Sequence, residues 1–220
     1  MLASVSTKTR HPAPGVIVAF RGEIGAGKTT AARCLRDAYG FVVESFAAPL
    51  KDLVRQITPA GRIDKLRDRN LLAYIGTDYY RNVVDPDYWV TALAQRVEPL
   101  LAAGRNVVVD DCRGFPNELD YIASRPGSII AWLDVPAAKI DQRLQARDGA
   151  IERGLPGHES ETFNDPRDPH ITLRIPNGGT IEDLQRYLHV SIGARLALRA
   201  PALCSPPSLV PRGARLRVVY

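Results

Sequence analysis

The residues best placed to do chemistry are the eight of "GEIGAGKT", Gly22 to Thr29, which fit G-x-x-x-x-G-K-[ST] at every position. Gly22, Gly25 and Gly27 let backbone N–H groups turn inward around phosphate oxygens, and a helix starting at Lys28 adds partial positive charge. In such a loop Lys28 reaches the β- and γ-phosphates of a nucleoside triphosphate, and Thr29 holds Mg²⁺ through its hydroxyl. Ala26 and Thr30 complete the expected contact set with ATP. An ordinary glycine turn has the same composition, so the setting decides. Here a β-branched run, "GVIVAF", precedes the motif and helical spacing from about Lys28 to Tyr39 follows it. Both are what phosphate binding requires.

Two further segments carry candidate catalytic groups. In "VVVDDCRGFPNE" an apolar strand delivers Asp110 and Asp111 to the carboxyl edge of a sheet, where ligands bind in open α/β folds. One carboxylate there, Asp110 being the candidate, can orient Mg²⁺ or an acceptor, and Arg113 offers a forked donor for phosphate. The alternative is a solvated turn with a local Asp–Arg pair. In "KIDQRLQARDGAIERG" Arg143 and Arg147 stand four apart on one helical face, with Arg153 in the loop beyond. Arginines at the mouth of a loop suit a lid that neutralises a transferring phosphoryl group and excludes water. Two exposed arginines on an amphipathic helix would look the same.

A histidine-acid cluster follows in "GLPGHESE", where His158, Ser160 and Glu161 stand close together. A transition-metal site wants three or four converging ligands, and no second His/Cys cluster supplies them. That leaves a solvated loop, or groups that face the nucleotide cleft as hydrogen-bonding or lid-latching side chains. The second is the reading adopted.

These residues need a scaffold. "GVIVAF", "GFVVESF", "RNVVVDD", "GSIIAWLDV" and "HITLRIPN" read as five strands. Between and after them, "APLKDLVRQI", "IDKLRDRNLLAYIG", "DPDYWVTALAQRVEPLLAAG", "NELDYIAS", "PAAKIDQRLQAR" and "TIEDLQRYLHVSIGARLAL" have helical character. The alternation predicts an α/β fold, with a five-stranded parallel sheet carrying helices on both faces. Residues 148–168 lack periodicity and read as one long functional loop.

Composition sets the outer bounds. A chain of 220 residues suits one α/β domain, here 15–199, after a loose leader at 1–14 and before a proline-rich basic tail at 200–220. Within that tail "LVPRG" resembles the protease-cleavage linker of an expression vector. Cys34, Cys112 and Cys204 are odd in number and far apart, which fits a reduced cytoplasm rather than a disulfide framework. The six arginines beyond Asp183 account for the basic excess: without them 23 of the 29 Lys and Arg remain against 24 Asp and Glu. No polyanion-binding surface is expected on the body, so nucleic acid is excluded as its partner. The chain has no apolar run of the roughly 18–20 residues a membrane helix needs.

From about residue 15 to 190 the segments "FRGEIGAGKTTAA", "FAAPLKDLV", "GTDYYRNVVDPDYWV", "VVVDDCRGFPNEL", "GHESE" and "IPNGGTIEDL" occur in an order that resembles the bacteriophage-type deoxynucleoside monophosphate kinases, within the P-loop nucleoside monophosphate kinase family. The resemblance implies a P-loop kinase fold with a mobile lid at about 143–162, a host-cytoplasmic location and a possible homodimer. It implies transfer of the γ-phosphoryl of ATP to a deoxynucleoside 5′-monophosphate with Mg²⁺. It makes Lys51, Arg81 and Arg113 acceptor-side groups, and Trp89, Tyr79 and Tyr80 candidates to flank the base, although an aromatic at helical spacing is equally a core residue. The family pattern runs D-x-R directly into F-P-N-E, whereas Gly114 intervenes here and leaves open the roles of Arg113, Asn117 and Glu118. Competing readings are a P-loop kinase for a nucleoside or sugar acid, and a nucleotide-binding module without transfer activity.

Overall fold

Every residue of β1 (Ile17–Arg21) is buried, as a strand covered on both faces must be. In the computed structural model, which describes residues 13–58, 68–149 and 158–198, this strand lies at the centre of the sheet. It pairs in parallel with β3 (Val107–Val109) in the register Val18 to Val108, and with β4 (Ile129–Asp134) in the register Ala19 to Ile130. β2 (Val42–Glu44) flanks β3 and β5 (Leu173–Pro176) flanks β4, giving the order β2-β3-β1-β4-β5. The parallel, five-stranded α/β expectation is therefore met, with each strand shorter than its apolar run.

Alternation along β1 splits the core in two. Val18 and Phe20 face α1 (Lys28–Tyr39) and α8 (Ile181–Leu188), packing with Leu35, Leu133, Ile175 and Leu184. Ile17 and Ala19 face α4 (Tyr88–Ala102) and α5 (Pro116–Ala123), packing with Leu93, Val97, Leu119 and Ile130. Full burial of each large apolar side chain contributes about 1.5–3 kcal/mol, so both faces are firmly held. The chain passes from β1 to the far edge at β2, returns to β3, then crosses β1 to β4. That reversal opens a crevice at the carboxyl ends of β1 and β3.

A third, smaller cluster (Leu50, Val54 and Trp89) builds the wall opposite the sheet. It joins α2 (Ala47–Ile57), α4 and a helical stretch that starts as α3 (Arg69–Ala73) and widens into a π-helical segment, Tyr74–Val84. The sequence predicts an ordinary helix only as far as Gly76. Gly76 lets this segment pack closely on α2, since a Cβ there would lie 2.7 Å from Leu50 Cδ2. Its carbonyl accepts a 2.7 Å hydrogen bond from Trp89 Nε1.

α6 (Ala137–Asp148) follows β4, and the short α7 (Glu159–Thr162) falls inside the stretch predicted to be irregular. α8 begins on a reciprocal Thr180–Asp183 capping box, worth about 0.5–2 kcal/mol. It gives way at His189 to a second π-helical turn, His189–Gly193, where Tyr39 Oη lies 2.6 Å from His189 Nδ1. Residues 150–157 of the predicted lid, with Arg153, lie outside the described residues. So do the predicted tail and all of the predicted leader except residues 13 and 14. Among the described residues no helix is long and apolar enough to cross a membrane.

Candidate active site

The phosphate loop leaves β1 and enters α1 through Gly27, whose φ of +93° is open to glycine at little cost. Space demands glycine there too, because a Cβ would lie 2.7 Å from Asn177 Nδ2. No side chain caps α1 and no acidic residue stands in its first turn, so its N-terminal amides are available to an anion. Lys28 Nζ folds over the loop, donating to Gly22 O at 2.7 Å and Glu23 O at 3.0 Å. Asn177 Nδ2 donates to Ala26 O at 2.7 Å and Arg143 adds a 3.4 Å bond to the same carbonyl, which fixes the loop's outer bend. Thr29 and Thr30 are exposed at the start of α1, and Gly25 packs against Leu144 and Ile140 of α6.

The loop forms one end of a cleft of about 500 Å³. Gly22, Lys28 and Thr29 line that end, and Asp110 and Asp111 line it from the carboxyl end of β3. The two aspartates do different work. Asp111 Oδ2 accepts from Ser45 Oγ at 2.5 Å and from the Ala47 N–H at 3.0 Å, while its Oδ1 accepts from the Phe46 N–H at 2.8 Å. Its carboxylate, expected as a catalytic group, thus accepts all three of these bonds at the N-terminus of α2, which carries Lys51, an arrangement suited to anchoring that helix. Asp110 occupies the half-buried position beside the phosphate loop. Its carboxylate and the Thr29 hydroxyl are hard oxygen donors at one end of one cleft, a set that fits Mg²⁺ completed by phosphate oxygens and water.

Lys51, Arg81, Arg113 and Trp89 line the same cleft. Arg81, on the π-helical segment, is buried and paired with the buried Glu118. Its guanidinium lies 3.9 Å from the Phe115 ring centroid, and its Nη1 reaches Asn117 Oδ1 at 3.4 Å. Glu118 also accepts the Arg113 N–H at 3.0 Å, and Asn117 Nδ2 holds Pro86 O and Asp87 Oδ1, each at 2.7 Å. "FPNE" is therefore the frame that sets Arg81 and the Arg113 turn, and the extra Gly114 leaves those bonds intact. Burial drives the Glu118 carboxyl up to about 7, against the pull of the Arg81 guanidinium. Trp89 is 3% exposed and packs on Leu50 and Val54, and it also walls the cleft. Tyr80 packs on Trp89 with ring centroids 5.1 Å apart, whereas Tyr79 is exposed outside the cleft lining.

The two arginines of α6 separate. Arg147 lines the cleft, while Arg143 turns to the other side of the loop and donates to Asn177 O at 2.8 Å. His158 does not face the cleft as expected. Its Nε2 lies 3.3 Å from Asp78 Oδ1, and next to it Glu159 Oε2 accepts from Asn82 Nδ2 at 3.2 Å. The segment latches onto the π-helical turn instead. The side chains of Ser160 and Glu161 lie outside the described residues. Sequence reasoning missed Arg69, Thr77 and Asn164, which also line the cleft, and Asn177, whose amide secures the phosphate loop. "IPNGGT" was the available signal for the last of these.

No family model matches the chain. Over 151 residues it is 30% identical to a protein of Acanthamoeba polyphaga mimivirus provisionally named a deoxynucleotide monophosphate kinase, covering 57% of this chain and 77% of that one. Among solved structures, a sugar kinase from Janibacter matches with a TM-score of 0.54 at 17% identity, over 84% of this chain and 99% of that one. A gluconokinase from Sinorhizobium meliloti matches with a TM-score of 0.51 at 19% identity, over 84% and 95%. These two establish the fold as that of a P-loop kinase. With the phosphate loop formed, the F-P-N-E frame intact and the viral relative aligned over most of its length, the chain belongs to the deoxynucleotide monophosphate kinase family.

Proposed function

We propose that the protein transfers the γ-phosphoryl group of ATP to the 5′-phosphate of a deoxynucleoside monophosphate, giving the diphosphate. The observation that carries this reading is the charge of the cleft. Beyond the phosphate loop, Lys51, Arg69, Arg81 and Arg113 all line the cleft. A neutral sugar does not call for four cations, whereas a phosphate dianion and the charge passed to it do.

The transfer has a loose transition state, so its demands are alignment and charge stabilisation. The α1 N-terminus and Lys28 hold the β- and γ-phosphates of the donor. Thr29 and Asp110 would hold Mg²⁺, which would neutralise phosphate charge when bound. Arg81, kept in place by Glu118 and Phe115, receives the acceptor phosphate together with Arg113 and Lys51. Arg147, which lines the same cleft, stabilises the group in transfer. Arg143 serves the donor side through the Asn177 and Ala26 carbonyls. The acceptor base fits the apolar stretch of cleft bordered by Leu50, Leu72, Gly76 and Trp89.

Screening ATP and Mg²⁺ with deoxynucleoside monophosphates, nucleosides and sugar acids tests the proposal. Diphosphate formation from at least one monophosphate, with no turnover of uncharged acceptors, is expected. Turnover of gluconate or a nucleoside alone would overturn it.

A further inference from the structure

We propose that Arg21, the last residue of β1, is a positioning residue that holds the Arg113 turn and the Phe163–Asn164 segment in one fixed arrangement. The inference rests on the phosphoryl-transfer reading of the cleft. Arg21 is wholly buried, directly before the phosphate loop. Its Nη1 pairs with Asp168 Oδ2 at 2.8 Å and its Nη2 donates to Phe163 O at 2.6 Å. Asp168 is aimed by His170, whose backbone N–H and Nδ1 both lie 2.9 Å from Asp168 Oδ1. Burial works against the charged Asp168 carboxylate, but the His170 N–H and the Arg21 guanidinium outweigh it and hold its pKa below the ordinary value.

Gly114, the residue that interrupts D-x-R and F-P-N-E, sits against this guanidinium. Its φ is +92°, and a Cβ there would lie 2.6 Å from Phe163 O and 2.7 Å from Arg21 Cζ. The extra residue therefore has a use: a loop without a side chain is the only one that leaves room for the buried arginine. From Phe163 the contact continues into the acceptor site. The Phe163 ring packs on Phe115 with centroids 4.9 Å apart, and Phe115 underlies Arg81. Asn164, the next residue, lines the cleft.

Stability alone does not account for this arginine. Burying a guanidinium costs several kcal/mol of desolvation, and well-packed apolar replacements of buried ion pairs are often neutral or stabilising. What an apolar side chain cannot supply is a two-headed cation that donates to the Phe163 carbonyl through one nitrogen and pairs with the Asp168 carboxylate through another.

Two variants of the full chain test it, Arg21→Lys, which keeps the charge and loses the fork, and Asp168→Asn, which keeps the shape and loses the charge. We expect kcat to fall about tenfold or more and the acceptor KM to rise several-fold in both, with the ATP KM within about twofold of wild type. Hydrogen exchange in the substrate-free protein should quicken together at 113–115 and 163–168 in both variants. A lowered Tm with unchanged kinetic constants, or faster exchange confined to 168–170, would reduce Arg21 to a structural role and overturn the proposal. If Arg21→Lys fails to fold, Asp168→Asn decides by the same readings. The exchange measurement needs no substrate, so a wild-type chain inactive on every monophosphate would sink the functional reading and leave this test standing.

Discussion

Replacing each of the adjacent aspartates by asparagine should give opposite phenotypes. Asp111→Asn keeps one oxygen, which can still accept the Phe46 N–H, but puts an NH₂ group against the Ser45 hydroxyl and the Ala47 N–H. Ser45 can rotate its hydroxyl to accept; Ala47 cannot, and its N–H loses its acceptor. A buried orphan donor costs about 1–3 kcal/mol, and partial exposure of the site places this one near 1–2 kcal/mol. For a chain of this size that corresponds to a Tm fall of roughly 2–8 °C. Because α2 carries Lys51, the acceptor KM should rise more than kcat falls. Asp110→Asn should instead remove most Mg²⁺-dependent turnover, by about tenfold or more, with a smaller change in Tm. Thermal unfolding and steady-state ADP release, run side by side on both variants, give the answer. If Asp111→Asn left Tm unchanged while abolishing turnover, the helix-anchor assignment would be refuted.

Lys28→Ala should lose nearly all turnover while its circular dichroism and Tm stay those of the wild type. Arg147→Ala should lower kcat more than ATP affinity, and Arg143→Ala should do the reverse, because Arg143 bonds carbonyls of the phosphate loop and of Asn177. Isothermal ATP binding together with initial rates separates the two. Glu118 predicts a pH effect: its folded pKa, raised to about 7, lies above the unfolded value of about 4.3. The folded state then holds the extra proton between those values, so stability falls as pH rises from about 4.3 to 7 and levels off above. Urea unfolding of wild type and Glu118→Gln across pH 4.5–8 should show that slope in the wild type alone. Chelation with EDTA should stop transfer, and added Mg²⁺ should restore it.

The local parts of this molecule were legible in its sequence, and the non-local parts were not. A phosphate loop is contiguous, and "GEIGAGKT" has its strand before it and its helix after it, so both position and role could be read. β1, β3 and β4 announced themselves because buried parallel strands are continuous apolar runs. The helix was read only as far as Gly76, and its widening into a π-helical segment at Tyr74–Val84 was not legible because it depends on hydrogen-bond pairing rather than on residue pattern. The division of labour between Asp110 and Asp111 hangs on Ser45 to Ala47, more than 60 residues away in the chain. Arg81 and Glu118 are 37 residues apart, and only the fold reveals that "FPNE" is a frame around that arginine. His158 was expected at the cleft and instead lies against Asp78, which belongs to the π-helical segment the sequence did not disclose.

The central claim is that a phosphoryl group passes from ATP to an existing phosphate. Incubating the protein and Mg²⁺ with γ-labelled ATP and a panel of deoxynucleoside monophosphates, including 5-substituted pyrimidines, and locating the label tests it most directly. Label is expected in the β-phosphate of a deoxynucleoside diphosphate. Label found only in inorganic phosphate, or only in a phosphorylated sugar or nucleoside offered in the same assay, would contradict it.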